Sequence, residues 1–230
     1  MRQYVMAITL LMTGATLAHA QTCAPGDPPT ALGTYCKSDF DGGKIIAPAA
    51  HRTPPPSPLD VPDPRLTPGV TNPRVTQANV AQNICSRDFK TAAFRPKPAY
   101  TNALKRKQLR EYGDTVKDPG AMCMQHSNNP RCYEEDHLIA IEDGGNPFDP
   151  RNLWPEPTNK MPGVNGAGWG TKDLVESFLH DAICFDVPNH KTTSQRYHPS
   201  HSIPLQRAQE ILAQDWYGCF EDMIKGKDCR

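Results

Sequence analysis

Asp136-His137, and Asn152 fifteen residues further on, are the side chains here whose types and spacing best suit proton transfer beside a metal. A neutral imidazole can take a proton from water near pH 7. It needs a partner that fixes its ring and tautomer, and an Asn side-chain carbonyl can accept the Nδ1–H. The adjacent carboxylate points to the other face of a strand, yet it can reach a cation near the strand end. A hard cation with carboxylate ligands steadies a phosphate leaving group. Together these parts suit metal-assisted phosphodiester hydrolysis. Lys172, Glu176 and His180 recur at i, i+4 and i+8 and share one helix face. Glu176 and His180 stand at the spacing of a metal-binding pair.

The elements that must position these groups can be read from the pattern. Residues 132–141 (CYEEDHLIAI) predict a strand, and Asp143-Gly144-Gly145-Asn146 a turn. Asn152-Leu153-Trp154 then predicts a short return strand, stopped by Pro155 and Pro157. Two such strands lie about 5 Å apart, so a hairpin brings His137 and Asn152 face to face. A Gly-, Pro- and Asn-rich loop covers 158–170. Thr171 suits a helix N-cap, and the helix runs to about Cys184 with Val175, Phe178, Leu179, Ala182 and Ile183 on its apolar face. A last helix is expected over 204–218, where Leu205, Ala208, Ile211, Leu212 and Trp216 keep a helical period. Trp154 reads as core and Glu156, between two prolines, as structural.

A further helix is expected over 101–112, with Leu104 and Leu109 inward and Lys105, Arg106 and Arg110 outward. Residues 87–117, which also include Arg95, carry nine basic and three acidic side chains. Such a stretch is either a solvated helix face or a phosphate-contacting surface. The chain as a whole has a formal net charge of zero, which argues against a wholly basic nucleic-acid binder.

The 230 residues allow one domain with an appendage. With 37% apolar residues and a mean hydropathy of −0.61, the chain cannot be a multi-span membrane protein. Its 24 prolines and 16 glycines disfavour a pure helix bundle. Residues 1–20 read as a signal peptide: Arg2 ahead of an apolar run, then Ala18-His19-Ala20 as cleavage pattern, with cleavage after Ala20. Residues 21–74 read as a Pro-rich, largely irregular segment without a core of its own, and 75–230 as the folded domain. All 8 cysteines follow the leader, an even number that in an exported chain implies disulfides. Short gaps favour Cys23–Cys36, Cys123–Cys132 and Cys219–Cys229, leaving Cys85–Cys184 as the long tie. His126, His190, His198 and His201 fall in polar loops and read as surface residues.

Glu135-Asp136-His137-Leu138-Ile139, Glu142-x-Gly144-Gly145 and Asp149-x-x-Asn152-Leu153-Trp154-Pro155-Glu156-Pro157 resemble the secreted branch of the HNH nucleases. The likeness continues in Lys172-Asp173-x-x-Glu176-x-x-x-His180 and in Ala208 to Trp216, and spans roughly 75–220. It implies an α+β fold: a small β-hairpin plus helix, the ββα-metal finger, embedded in a mainly helical, disulfide-bonded domain. It implies His137 as general base, Asn152 as its orienter and as a brace of the hairpin, and Asp136 as metal ligand. One divalent ion is implied, Mg²⁺ first, with Mn²⁺, Zn²⁺ or Ni²⁺ as alternatives. The family completes its site with a His or Asn early in the helix, where this chain has Met161, with Asn159 and Asn165 nearby. Glu176 is then the first choice of further ligand and His180 the second. Nucleic acid, DNA first, is the implied partner, held by Arg95, Lys105, Arg106, Arg110 and Lys172, with no membrane contact once the leader is cleaved. The competing reading is a disulfide-rich binding module that keeps the scaffold without catalysis. The missing early-helix ligand and the zero net charge favour it.

Overall fold

The computed structural model describes residues 22–47, 61–118, 123–158 and 169–229. The expected leader, the Pro54–Pro58 run, Asn159, Met161 and Asn165 lie outside the described residues. Within them the fold is mixed helix and strand, with a two-stranded antiparallel sheet, three α-helices and four disulfides.

Strand β1 (Tyr133–His137) pairs with β2 (Leu153–Pro157), Tyr133 opposite Pro157 and His137 opposite Leu153. The return strand therefore continues through both prolines instead of stopping at them. Pro155 and Pro157 are two apart, so their missing N–H groups fall on one edge of a two-stranded sheet, where no partner needs them. β1 is shorter than the 132–141 expected. At Ile139 the backbone leaves the ladder, because its N–H and C=O turn to the Asn152 side chain.

Helix α1 (Pro98–Glu111) starts with Pro at its first turn and buries Leu104 and Leu109, as the 101–112 pattern required. Its Gln108 Nε2 donates to the carbonyls of Leu153 (2.6 Å) and Pro150 (2.9 Å), which seats the helix on β2. Helix α2 (Trp169–Ile183) begins two residues ahead of the expected Thr171 cap. Its apolar stripe, Val175, Phe178, Leu179, Ala182 and Ile183, is buried. It packs on α3 (Leu205–Met223), whose Ala208, Ile211, Leu212 and Trp216 complete the main core with Leu138, Ile139 and Trp154. The face carrying Lys172 and His180, opposite that stripe, is buried as well, at 1% and 3% exposure. Helix α2 is thus sandwiched, which the helical period alone does not reveal.

Segments 22–47 and 61–74 have no long helix or strand, yet they are woven into the domain. Phe40 joins Phe94, Ile141 and Phe148 in a second cluster, and its carbonyl accepts from Asn146 Nδ2 at 2.7 Å. Val70 N–H donates to Asn152 Oδ1 at 3.3 Å, and Asn72 N–H to Gly144 O at 2.7 Å. Contacts therefore cross the boundary expected near residues 70–80. Among the described residues, Phe40 of this segment is buried against the rest of the fold.

All four disulfides are the expected pairs, and Cys85–Cys184 closes a separation of 99 residues. Four such bonds indicate an oxidising compartment, extracellular or periplasmic. No helix among the described residues is long and apolar enough to cross a membrane. Leu179, on α2, is fully buried in the main core, so Leu179→Ala is expected to cost about 2–5 kcal/mol. Urea unfolding, with an unchanged denaturant slope, is the measurement.

Candidate active site

The link between the strands, residues 138–152, is a shaped loop rather than a tight hairpin turn. A 3₁₀ turn at Ile141–Asp143 ends at Gly144, whose φ of +76° is the left-handed conformation that glycine adopts freely. A Cβ at Gly145 would lie 1.8 Å from the Ile139 carbonyl oxygen, so only glycine fits there. Asn152 braces the loop from within. Its Oδ1 accepts from Ile139 N–H (3.0 Å), and its Nδ2 donates to Ile139 O (3.0 Å) and Asn146 O (2.9 Å). With the Val70 contact, every hydrogen-bonding site of the amide is committed to backbone. Asn152 therefore steadies the hairpin, but it does not accept a proton from His137.

His137 is oriented by the backbone instead. Its Nε2 lies 3.1 Å from the Pro147 carbonyl oxygen, which can only accept. Nε2 thus carries the proton, and Nδ1 is left with its lone pair. Burial pushes the imidazole down to about 4, against a smaller opposing pull from Asp136. The ring is neutral at pH 7, the state a general base must hold.

Lys172 is the principal correction. Expected to meet nucleic acid, its ammonium is 1% exposed and donates to Asp136 Oδ2 (2.8 Å), the His137 carbonyl (2.8 Å) and Glu176 Oε1. A buried ammonium with three acceptors at hand is not free to bind a phosphate. Burial disfavours its charge, but Asp136, Glu176 and Glu156 outweigh burial and raise its pKa. Burial likewise works against the Asp136 anion, yet Lys172 holds that carboxyl below the usual range. Burial pushes Glu176 up to about 8 despite Lys172. Burial, then Asp136, raises Glu156 well above its usual range, and both of its carboxyl oxygens are buried without a hydrogen-bond partner.

Asp136, His137, Glu142 and Glu176 line a cleft with Thr91, Arg95, Ala140 and Ile141. Its volume of about 30 Å³ is room for roughly two water-sized groups. Asp136, Glu142 and Glu176 line the cleft with the oxygen ligands that a hard divalent cation takes, and Lys172 holds one oxygen each of Asp136 and Glu176, but the three do not bring an oxygen each within 4.8 Å of one another. Arg95 is exposed at the cleft wall. Lys105 is tied back to the Tyr133 carbonyl at 3.0 Å, and burial lowers its pKa. Arg106 and Arg110 face outward on α1.

His180 does not join this cleft. Its Nδ1 lies 2.8 Å from the Glu142 carbonyl oxygen, and its Nε2 lies 3.9 Å from Cys184 Sγ. Among the described residues one group of three ligating side chains has its donor atoms within 4.8 Å of one another: His180, Cys184 and His190. This group could hold a metal, although Cys184 is here in a disulfide and offers no thiolate. His190, expected at the surface, is drawn in by Asp181 at 3.2 Å, while His126, His198 and His201 remain exposed.

Three contributors escaped the sequence pattern: the Pro147 carbonyl, Glu142 and Glu156. A backbone acceptor leaves no signal, and Glu142 and Glu156 stood in the quoted motifs without a role at the site, Glu156 being read as structural. Lys172 and Glu176 did carry one, since i, i+4 is ion-pair spacing. No protein family, curated protein or solved structure matches the chain.

Two outcomes follow from these contacts. In EDTA, the His137 ring resonances should not shift between pH 8 and pH 5, because burial moves protonation down to about 4; an NMR titration checks this. Lys172→Met should cost about 3–5 kcal/mol in urea unfolding, since it removes one partner of a buried ion pair, whereas the exposed Arg106→Ala should change stability by under about 0.5 kcal/mol.

Proposed function

We propose that the chain is an exported, metal-dependent endonuclease of the HNH type, in which β1, β2 and α2 form the ββα-metal unit. The observation that carries this reading is His137. It is a neutral imidazole whose Nε2–H is given to Pro147, set in the wall of a cleft that three carboxylates share. Asp136 and Glu176 would hold one divalent cation, Mg²⁺ first, with Mn²⁺, Zn²⁺ or Ni²⁺ as alternatives. When bound, the cation supplies Lewis-acid stabilisation of the charge that builds on the phosphate and its leaving oxygen.

The remaining work falls to the chain. His137 Nδ1 takes the proton of the attacking water as its oxygen bonds to phosphorus and the bond to the 3′ oxygen breaks. Asn152 keeps the loop, and with it the Pro147 carbonyl, in place. Arg95 offers its guanidinium to a phosphate oxygen at the cleft. Arg106 and Arg110 give α1 an exposed basic surface for the flanking backbone, and Lys105 holds α1 to β1. Backbone contacts carry no sequence information, so cleavage is of low specificity, on DNA first. Export by a leader ending at Ala20 agrees with the four disulfides.

One observation favours a second reading, the non-catalytic binding module. The Lys172 ammonium already neutralises part of the acidic cluster without any added cation.

Nicking of supercoiled plasmid by the oxidised protein, with Mg²⁺ or Mn²⁺ and with EDTA, separates the two. Cation-dependent nicking that falls at least about 100-fold in His137→Ala, with folding retained, is expected for the nuclease. A folded wild-type protein that cleaves neither plasmid nor RNA with Mg²⁺, Mn²⁺, Zn²⁺ or Ni²⁺ overturns the nuclease reading and leaves the binding module.

A further inference from the structure

Near the C-terminal end of α2, on the turn after the cleft residues, stands a cluster that the hydrolytic reading does not use. His180, Cys184 and His190 have donor atoms within 4.8 Å of one another, and the two rings are 5.2 Å apart, centroid to centroid. Cys184 is bonded to Cys85, so a fourth donor is in place beside the third. Both cysteines and His180 are buried, and His190 is partly so.

The imidazoles are held as metal-ligating histidines are held. His180 gives its Nδ1–H to the Glu142 carbonyl at 2.8 Å, with an Asp143 carboxyl oxygen at 4.0 Å. His190 gives its Nε2–H to Asp181 Oδ1 at 3.2 Å, and Asp181 is itself fixed by Thr193 and Ser194. Each ring thus has one nitrogen occupied by a neighbouring acceptor and a lone pair on the other, which is how outer-shell partners prepare zinc ligands. For His180 that lone pair is on Nε2, the atom 3.9 Å from Cys184 Sγ. Zn–S bonds of about 2.3 Å and Zn–N bonds of about 2.0 Å in a tetrahedron set donor separations of roughly 3.3–3.8 Å. The donors of His180, Cys184 and His190, no more than 4.8 Å apart, stand at most about 1.5 Å beyond those separations. As long as the sulfurs are bonded to each other, neither carries the negative charge that a zinc ligand needs.

We propose that the Cys85–Cys184 disulfide masks a zinc site made of Cys85, Cys184, His180 and His190, which forms when a dithiol reductant opens the bond. The dithiol gives two electrons and two protons. The Cys85–Cys184 bond breaks, two thiols form, and the reductant closes its own disulfide. Zinc then displaces the two thiol protons, and two thiolates with two neutral imidazoles balance its charge. Both states tie the same two pieces of chain, the segment after Val80 and the end of α2, across a separation of 99 residues. Zinc would therefore replace the disulfide as the cross-link of the main core in a reducing environment.

The test uses the whole chain, oxidised and then reduced with a phosphine that is removed before metal is added. Co²⁺ is the probe, read by its tetrahedral absorption and its thiolate charge-transfer band, and Zn²⁺ displaces it. The oxidised chain should give no charge-transfer band. The reduced chain should take up one tightly held Co²⁺, and bound Zn²⁺ should shield Cys85 and Cys184 from alkylation while the other six cysteines react. His180→Ala and His190→Ala, which retain every cysteine, should weaken binding at least about tenfold. His190→Asn, in a partly exposed loop, carries the comparison if His180→Ala does not fold. No tight metal on the reduced chain, or equal binding by the histidine variants, would overturn the site and leave only unspecific thiol ligation.

Discussion

A lysine ammonium taken out of water must find anions or lose its charge, and the candidate site is arranged around that requirement. Lys172 sits one turn into α2 and joins its own helix, through Glu176, to a distant part of the chain, through the Asp136 carboxylate and the His137 carbonyl. This fixes the angle at which α2 lies on the hairpin. It also sets which faces of α2 can be polar. One side of the helix feeds the main core and the other is pinned to β1, so Glu176 has nowhere to point but the cleft.

The second constraint is backbone satisfaction in the loop between the strands. A buried loop has no ladder to satisfy its N–H and C=O groups, and Asn152 supplies part of one from a single side chain. Asn146 does the same nearby, bonding Phe148 N–H, Asp149 N–H and the Phe40 carbonyl. Gly145 is required because these bonds draw the loop onto the Ile139 carbonyl. The Pro147 carbonyl that sets the His137 tautomer is held by this network. The imidazole is thus tuned by loop architecture rather than by a neighbouring side chain.

Helix positions and the disulfide partners were legible because each rests on a local rule: apolar period or sequence gap. The fate of Lys172 was not, because an exposed ion pair and a buried one have the same i, i+4 signature. His180 illustrates the same limit. Its spacing to Glu176 is right for a shared metal, but the loop carbonyl at Glu142 and the disulfide at Cys184 turn it elsewhere. Residues 22–47 and 61–74 read as irregular, and they are; what no periodicity could reveal is that irregular chain supplies Phe40 and the Val70 N–H to the loop. In each case the missing information is long-range contact, which residue order does not encode locally.

The charge balance of the cleft ties these points to its chemistry. Asp136, Glu142, Glu156 and Glu176 are drawn together with only Lys172 buried among them and Arg95 at the rim. Glu156 is buried and the other three are partly so, and burial raises the pKa of Glu142, Glu156 and Glu176, which favours their neutral forms where a single ammonium faces several carboxylates. A divalent cation could meet the same demand by displacing protons from oxygens already facing the cleft. Lys172 in this view is no rival to the cation. It carries the permanent part of the neutralisation and fixes the Asp136 and Glu176 carboxylates in place. The remaining negative charge gathers next to a neutral imidazole, where a phosphodiester could be brought only with positive help.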